Sequence, residues 1–242
     1  MGSSKVITCG DFALNACQAV AFTPDEEVSP VKLIQGFLPR WAQRFDAEPL
    51  ALPVSEVLIK ETPRVILEDK KGNWRCHIAS SRVDLFWRKK TPGNGDVTLA
   101  VFVDETANFL VDYRDFMNAR VSRLSAVVSR HAPCENPGLF LSRYFCKPEI
   151  TRGPLNRPES FELHARKSYI LAGKFSINSW VRSKTGILPQ ESGRPTVLVE
   201  QDLNTLAEDA ASAAFEEADI RSFFSAAGRE LESILSIYYP PS

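Results

Sequence analysis

A chain of 242 residues, 44% hydrophobic and 24% charged, is long enough for one large domain or two small ones around a sizeable core. Its formal net charge of −1 carries no global basic excess, and no apolar stretch approaches the length of a bilayer span. A transmembrane helix is thereby excluded, and the composition is that of an ordinary globular protein. The first residues hold no apolar signal core, and Met1-Gly2-Ser3-Ser4-Lys5-Val6 begins like a myristoylation site but has Val6 where Ser or Thr is needed. Five widely spaced cysteines (Cys9, Cys17, Cys76, Cys134, Cys146) fit reduced thiols in a cytoplasmic protein.

Val6 to Phe22 mixes small and apolar residues without a helical cap and predicts a strand over most of its length. Ser29 then offers an N-cap, and Pro30 suits the first helical position, where its missing N–H costs nothing. Leu33, Ile34, Phe37, Leu38, Trp41 and Phe45 fall on one helical face, with a kink expected at Pro39. Arg64–Glu68 and Trp74–Ala79 flank the polar turn Asp69-Lys70-Lys71-Gly72-Asn73 and read as a hairpin. In Arg82–Arg88, Val83, Leu85 and Trp87 alternate with Asp84, Phe86 and Arg88 as a third strand, which the loop Thr91-Pro92-Gly93-Asn94-Gly95 ends. Leu99 to Met117 carries a strong helical stripe.

The second half runs through the same order. Val121–His131 predicts a strand, Pro137 opens a short helix that Pro148 closes, and strands follow around Phe161–Leu171, Lys174–Arg182 and Thr196–Asp202. A connection with Gly186, Pro189 and Gly193 joins the last two strands, and a final helix carries Ile220, Phe223, Phe224, Ala227, Leu231, Ile234, Leu235 and Tyr238 before Pro240-Pro241 stops it. The expected fold is α+β: two pseudo-repeated β-α-β-β-β-α halves, residues 1–119 and 120–242, within one compact unit. Antiparallel sheets that can join would each pack a long helix on one face.

Arg120–Arg130 (RVSRLSAVVSR), Tyr144-Phe145, Val197–Asn204 (VLVEQDLN) and the helix around Phe223-Phe224 resemble a sporadically distributed family of uncharacterised bacterial proteins of about this length. The strand ending Leu85-Phe86-Trp87 before helix Leu99–Met117 is a weaker match. The resemblance implies no catalytic site, and the family's patchy distribution is of the kind seen for mobile or defence-associated genes.

Catalytic and metal chemistry find little support. His131-x2-Cys134, with Cys146 further on, lacks the four closely paired ligands of a zinc site. A nucleophile elbow is missing, and Cys134 has only a neighbouring histidine. Glu68-Asp69-Lys70 has the E-x-K spelling of some metal-dependent nucleases, but it falls where a polar turn is expected anyway. Gly93-Asn94-Gly95 lacks the third glycine and the Lys-Ser/Thr of a phosphate loop. No catalytic residue, metal ligand or cofactor site is assigned.

Charge is unevenly placed. Residues 114–194 hold fourteen Lys and Arg against six Asp and Glu, whereas residues 195–242 hold two against nine. Strand alternation puts Glu162, His164 and Arg166 opposite Phe161, Leu163 and Ala165, and Lys174, Asn178, Trp180 and Arg182 opposite Phe175, Ile177 and Val181. Arg123 joins the same side. Either the acidic C-terminal segment balances these cations, or Arg123, His164, Arg166, Lys174, Trp180 and Arg182 form a partner-binding face. The leading expectation is a non-catalytic binding or regulatory protein with a protein partner in a larger bacterial assembly. The alternative is a nucleic-acid-binding protein that uses the same basic face, contacting phosphates and stacking a base on Trp180.

Overall fold

Nine strands build a single sheet in the computed structural model, which describes residues 6–24, 27–52, 59–90, 97–153, 156–188 and 193–241. The strands are β1 (Ala13–Phe22), β2 (Leu50–Ala51), β3 (Val65–Glu68), β4 (Trp74–Ile78), β5 (Arg82–Arg88), β6 (Arg123–Pro133), β7 (Glu162–Leu171), β8 (Phe175–Leu188) and β9 (Arg194–Thr205). They lie in the order β2-β3-β4-β5-β1-β6-β9-β8-β7, and every pairing is antiparallel. The two expected sheets are therefore one. Their seam is β1 against β6, with Ala19 opposite Ala126 and Cys17 opposite Val128. From that seam the order runs outward as β1-β5-β4-β3 on one side and β6-β9-β8-β7 on the other, with the short β2 added to the first.

Local sequence explains the tight connections. Between β7 and β8, Ala172 and Gly173 both take positive φ, and the Lys174 N–H donates to the Leu171 carbonyl at 3.1 Å. This backbone twist matches the right-handed twist of the flanking strands. Long strands exceed their predicted ends where a neighbour completes the ladder. Thus β8 continues through Gly186 to Leu188, which pairs with Arg194 at the start of β9. Pro189 and the loop 91–95 fall outside the described residues, as do residues 1–5. Before β1, the predicted strand is replaced by a 3-10 turn over Cys9–Asp11, because the Asp11 carboxylate accepts from the Thr8 N–H at 2.9 Å.

Six α-helical segments complete the fold among the described residues: α1 (Pro30–Lys32), α2 (Leu38–Trp41), α3 (Leu99–Met117), α4 (Pro137–Phe145), α5 (Pro148–Arg152) and α6 (Glu217–Tyr238). Between α1 and α2 a π-helical turn covers Leu33–Phe37. Pro39 has no N–H for the carbonyl one turn back, and the chain widens just ahead of it. Pro148 was expected only to close α4; it also opens α5, since a proline is at home in a first turn.

The long helices share one face of the sheet. There α3 lies on β1 and β5, α6 lies on β6 and β9, and the two pack against each other. Val83, Leu85, Trp87, Cys17, Ala19, Leu124, Ala126, Val199 and Leu203 point at them and are buried. Aromatic residues fill the layer: Trp74 stacks on Phe102 with centroids 5.6 Å apart, and Phe223 meets Phe224 and Phe175 edge to face. Arg130 also points to this side. Its guanidinium donates to Gln201 and, at 2.7 Å, to Glu232 of α6, so a cation buried by the helix layer has both its charge and its donors satisfied.

Candidate functional site

The opposite face of the sheet lies on the side away from α3 and α6. Alternation along each strand decides what it displays. Cross-strand register sets Arg75, Phe86, Gln18, Val127, Asp202, Trp180 and Arg166 in one row across seven strands. A neighbouring row holds Arg88, Ala16, Ser129, Glu200, Arg182 and His164. At the middle of the face the side chains are small, and two shallow depressions meet over Val127 and Ser129.

The depression on the second half, about 440 Å³, is lined by three of the predicted residues, His164, Trp180 and Arg182. Trp180 is half-buried there. The His164 ring lies 4.8 Å from it, and the Arg166 guanidinium lies 5.0 Å from the indole while donating to Asn178 at 3.1 Å. An arginine held over an indole keeps its donors available to a partner and loses little entropy on docking. Arg182 shares the depression but is engaged, with Glu162 at 2.8 Å and Glu200 at 3.6 Å. Arg123 is further along the same face, its guanidinium 4.6 Å from the Phe22 ring, which Arg82 approaches from the other side at 5.2 Å.

Lys174 does not join this group. It lies in the turn before β8 rather than in the strand, and its ammonium pairs with Asp219 of α6, on the helix-covered side. Alternation applies only inside a strand, and the turn at Ala172-Gly173 takes Lys174 out of it. This contact also shows the acidic C-terminal segment balancing cations of the second half. Arg130 with Glu232 does the same, and Glu216 also pairs with Arg114 near the end of the first half.

Sequence reasoning placed Glu162 on this face but missed the acidic residues of β9. Asp202 stands opposite Trp180 and accepts from Ser125 and Asn204, each at 3.2 Å. Burial outweighs those bonds and the nearby Arg123, and it raises the carboxyl's pKa. Glu200 takes Lys184 at 2.9 Å as well as Arg182. Asp202 and Glu200 alternate with Val199, Gln201 and Leu203 in β9, so the same alternation that found Arg166 would have found them.

The residues weighed for catalysis have structural partners. Glu68 pairs with Arg75 at 2.5 Å, Asp69 accepts from the Trp74 N–H at 3.0 Å, and Lys70 lies 3.8 Å from Asp46, so the E-x-K residues point to separate places. Burial pushes the Cys17 thiol up to about 12, the Cys76 thiol well above its usual value, and the Cys134 thiol upward, which keeps them from acting as thiolates near neutrality. Among the described residues, no three His, Cys, Asp or Glu side chains are grouped to hold a metal ion, and no helix is long and apolar enough to cross a membrane. Compared with known proteins, the chain matches no family model and no curated sequence.

Proposed function

We propose that this chain is a non-catalytic binding or regulatory protein that docks a protein partner on the open face of its sheet, within a larger bacterial assembly in the cytoplasm. The observation that carries this reading is the arrangement around Trp180: an indole at a depression, an arginine held over it, and charged groups of both signs at the rim. Tryptophan and arginine are the side chains that most often anchor protein interfaces. Mixed charge is the second support. Glu162 and Glu200 hold Arg182, Glu200 also holds Lys184, and Asp202 faces Trp180, so an approaching phosphate backbone would meet carboxylates among the cations. The mirrored strand order about the β1–β6 seam supports the further reading that the halves are structural repeats.

The test is retention of a native-host partner by the full-length protein carrying Arg166→Glu and Trp180→Ala. Arg182 is avoided, because a glutamate there would face Glu162 and Glu200. The pair should abolish a capture that the wild type shows, while Arg166→Glu alone shifts stability by no more than about 0.5 kcal/mol, as exposed substitutions do. A captured partner that survives both changes contradicts the proposal. Capture of nucleic acid, with affinity falling steeply as salt rises, would transfer the face to the alternative reading.

A further inference from the structure

The second depression on the open face, about 370 Å³, lies over the first half and belongs to none of the residues discussed for docking except the shared floor at Val127 and Ser129. Its walls bring three cations together. Arg75 comes from β4, Arg88 ends β5, and Lys90 follows two residues later, its ammonium lying close over Gly72 of the β3–β4 turn. Arg75 is paired with Glu68, but the side chains of Arg88 and Lys90 are exposed and have no acidic partner among the described residues.

Two further groups complete the site. The Phe86 ring lines it, with the His77 ring edge-on at 5.0 Å. His77 Nε2 is buried and has no hydrogen-bond partner among the described residues. An unpaired buried polar atom costs free energy that a ligand atom would recover. Burial, reinforced by Arg75 and Arg82 against the opposing Asp84 and Glu68, lowers the pKa of His77, so the ring is neutral at neutral pH. Clustered cations, an aromatic surface, an unfilled polar position and a volume inside the usual ligand range form a built pocket rather than a solvated rim.

We propose that this depression binds a small organic anion, a phosphate or carboxylate carried on a flat ring. The anion would sit between Arg88 and Lys90, with the ring against Phe86 and a polar ring atom at His77 Nε2. Phosphate and carboxylate share the recognition chemistry of two cationic donors, and the size of the depression suits one ring with its anionic group rather than a polymer. This inference does not depend on docking at Trp180, and the residues that test it are different.

The experiment is an NMR titration of isotope-labelled full-length protein with AMP, phenyl phosphate, benzoate, adenosine and inorganic phosphate, following the His77 ring and the amides of β4 and β5. A saturable shift confined to those signals is expected with AMP, phenyl phosphate or benzoate. Inorganic phosphate and adenosine, each lacking one half of the ligand, should bind at least roughly tenfold more weakly. Arg88→Gln with Lys90→Gln should weaken the ring-bearing anion by roughly tenfold or more with an unchanged melting temperature. Phe86→Leu should remove the preference over inorganic phosphate. If phosphate performs as well as AMP, or if cations all over the surface shift together, the site is no more than a general attraction for anions and the proposal fails. It fails equally if none of the ring-bearing anions produces a saturable shift.

Discussion

Asp202 shows how much a single carboxyl on the open face can carry. Ser125 and Asn204 hold it opposite Trp180, yet burial raises its pKa above the unfolded value near ~3.9. The folded state therefore binds this proton more tightly than the unfolded chain. Its stabilising contribution is complete below the unfolded pKa and is lost as pH rises through the folded one. Asp202→Asn, which keeps an acceptor for Ser125, should raise the melting temperature at pH 7 and lose that advantage at about pH 3, where both aspartate states are protonated. Equal effects at the two pH values in thermal melts would show that Asp202 is not desolvated. Position on the sheet was legible from alternation at Arg166, Trp180 and Arg182, because a strand's period of two leaves no choice of face. Partners were not: Glu200 and Glu162 reach Arg182 through cross-strand register, which one strand's sequence does not encode. Lys174 failed for the opposite reason, since a turn removes it from the period altogether.

Among the elements, α3 and α6 decide which face is left open, and their own contact depends on a glycine. An added Cβ at Gly228 would sit 3.2 Å from Val103 Cγ2 of α3. Gly228→Ala should be close to neutral, because the gain in helix propensity of about 1 kcal/mol offsets the tight contact. Gly228→Leu should cost about 1–3 kcal/mol by overpacking, and Val103→Ala in the same chain should recover part of it. Chemical denaturation would measure both. A leucine tolerated without loss would mean that the helices are not in close contact there. The helices themselves were readable from sequence. Leu99–Met117 has an unbroken apolar stripe, a Thr98 cap accepting from Val101 at 3.3 Å, and Asn118 in the left-handed conformation at its end. The interruption before α2 was legible as a kink at Pro39 but not as a π turn, since the missing N–H says only that a bond is lost and not how the preceding turn widens. Strand ends were the least legible, because ladder partners lie far away in sequence.

The whole molecule is one twisted sheet with its helices gathered on a single side, so each half completes the other at the β1–β6 seam. Sequence order suggested the two halves and left open whether their sheets join. Joining depends on β1 meeting β6, residues about a hundred positions apart, and both strands carry small residues there, Ala19 and Ala126, that no local pattern marks as a seam. Once joined, the open face spans both halves and places the Trp180 depression and the Arg88–Lys90 depression on either side of Ser129. Ser129 therefore offers the most direct measurement of the claim that this face is the binding surface. A cysteine at Ser129 and, as control, one at Val128, whose side chain points at the helices, can be treated with a bulky thiol reagent and mapped by mass spectrometry, which separates them from the five native thiols. Rapid modification is expected at 129, with protection at 128 in the folded protein and loss of partner capture once 129 is modified. A protected thiol at 129, or a modified protein that captures its partner as well as before, would contradict that claim.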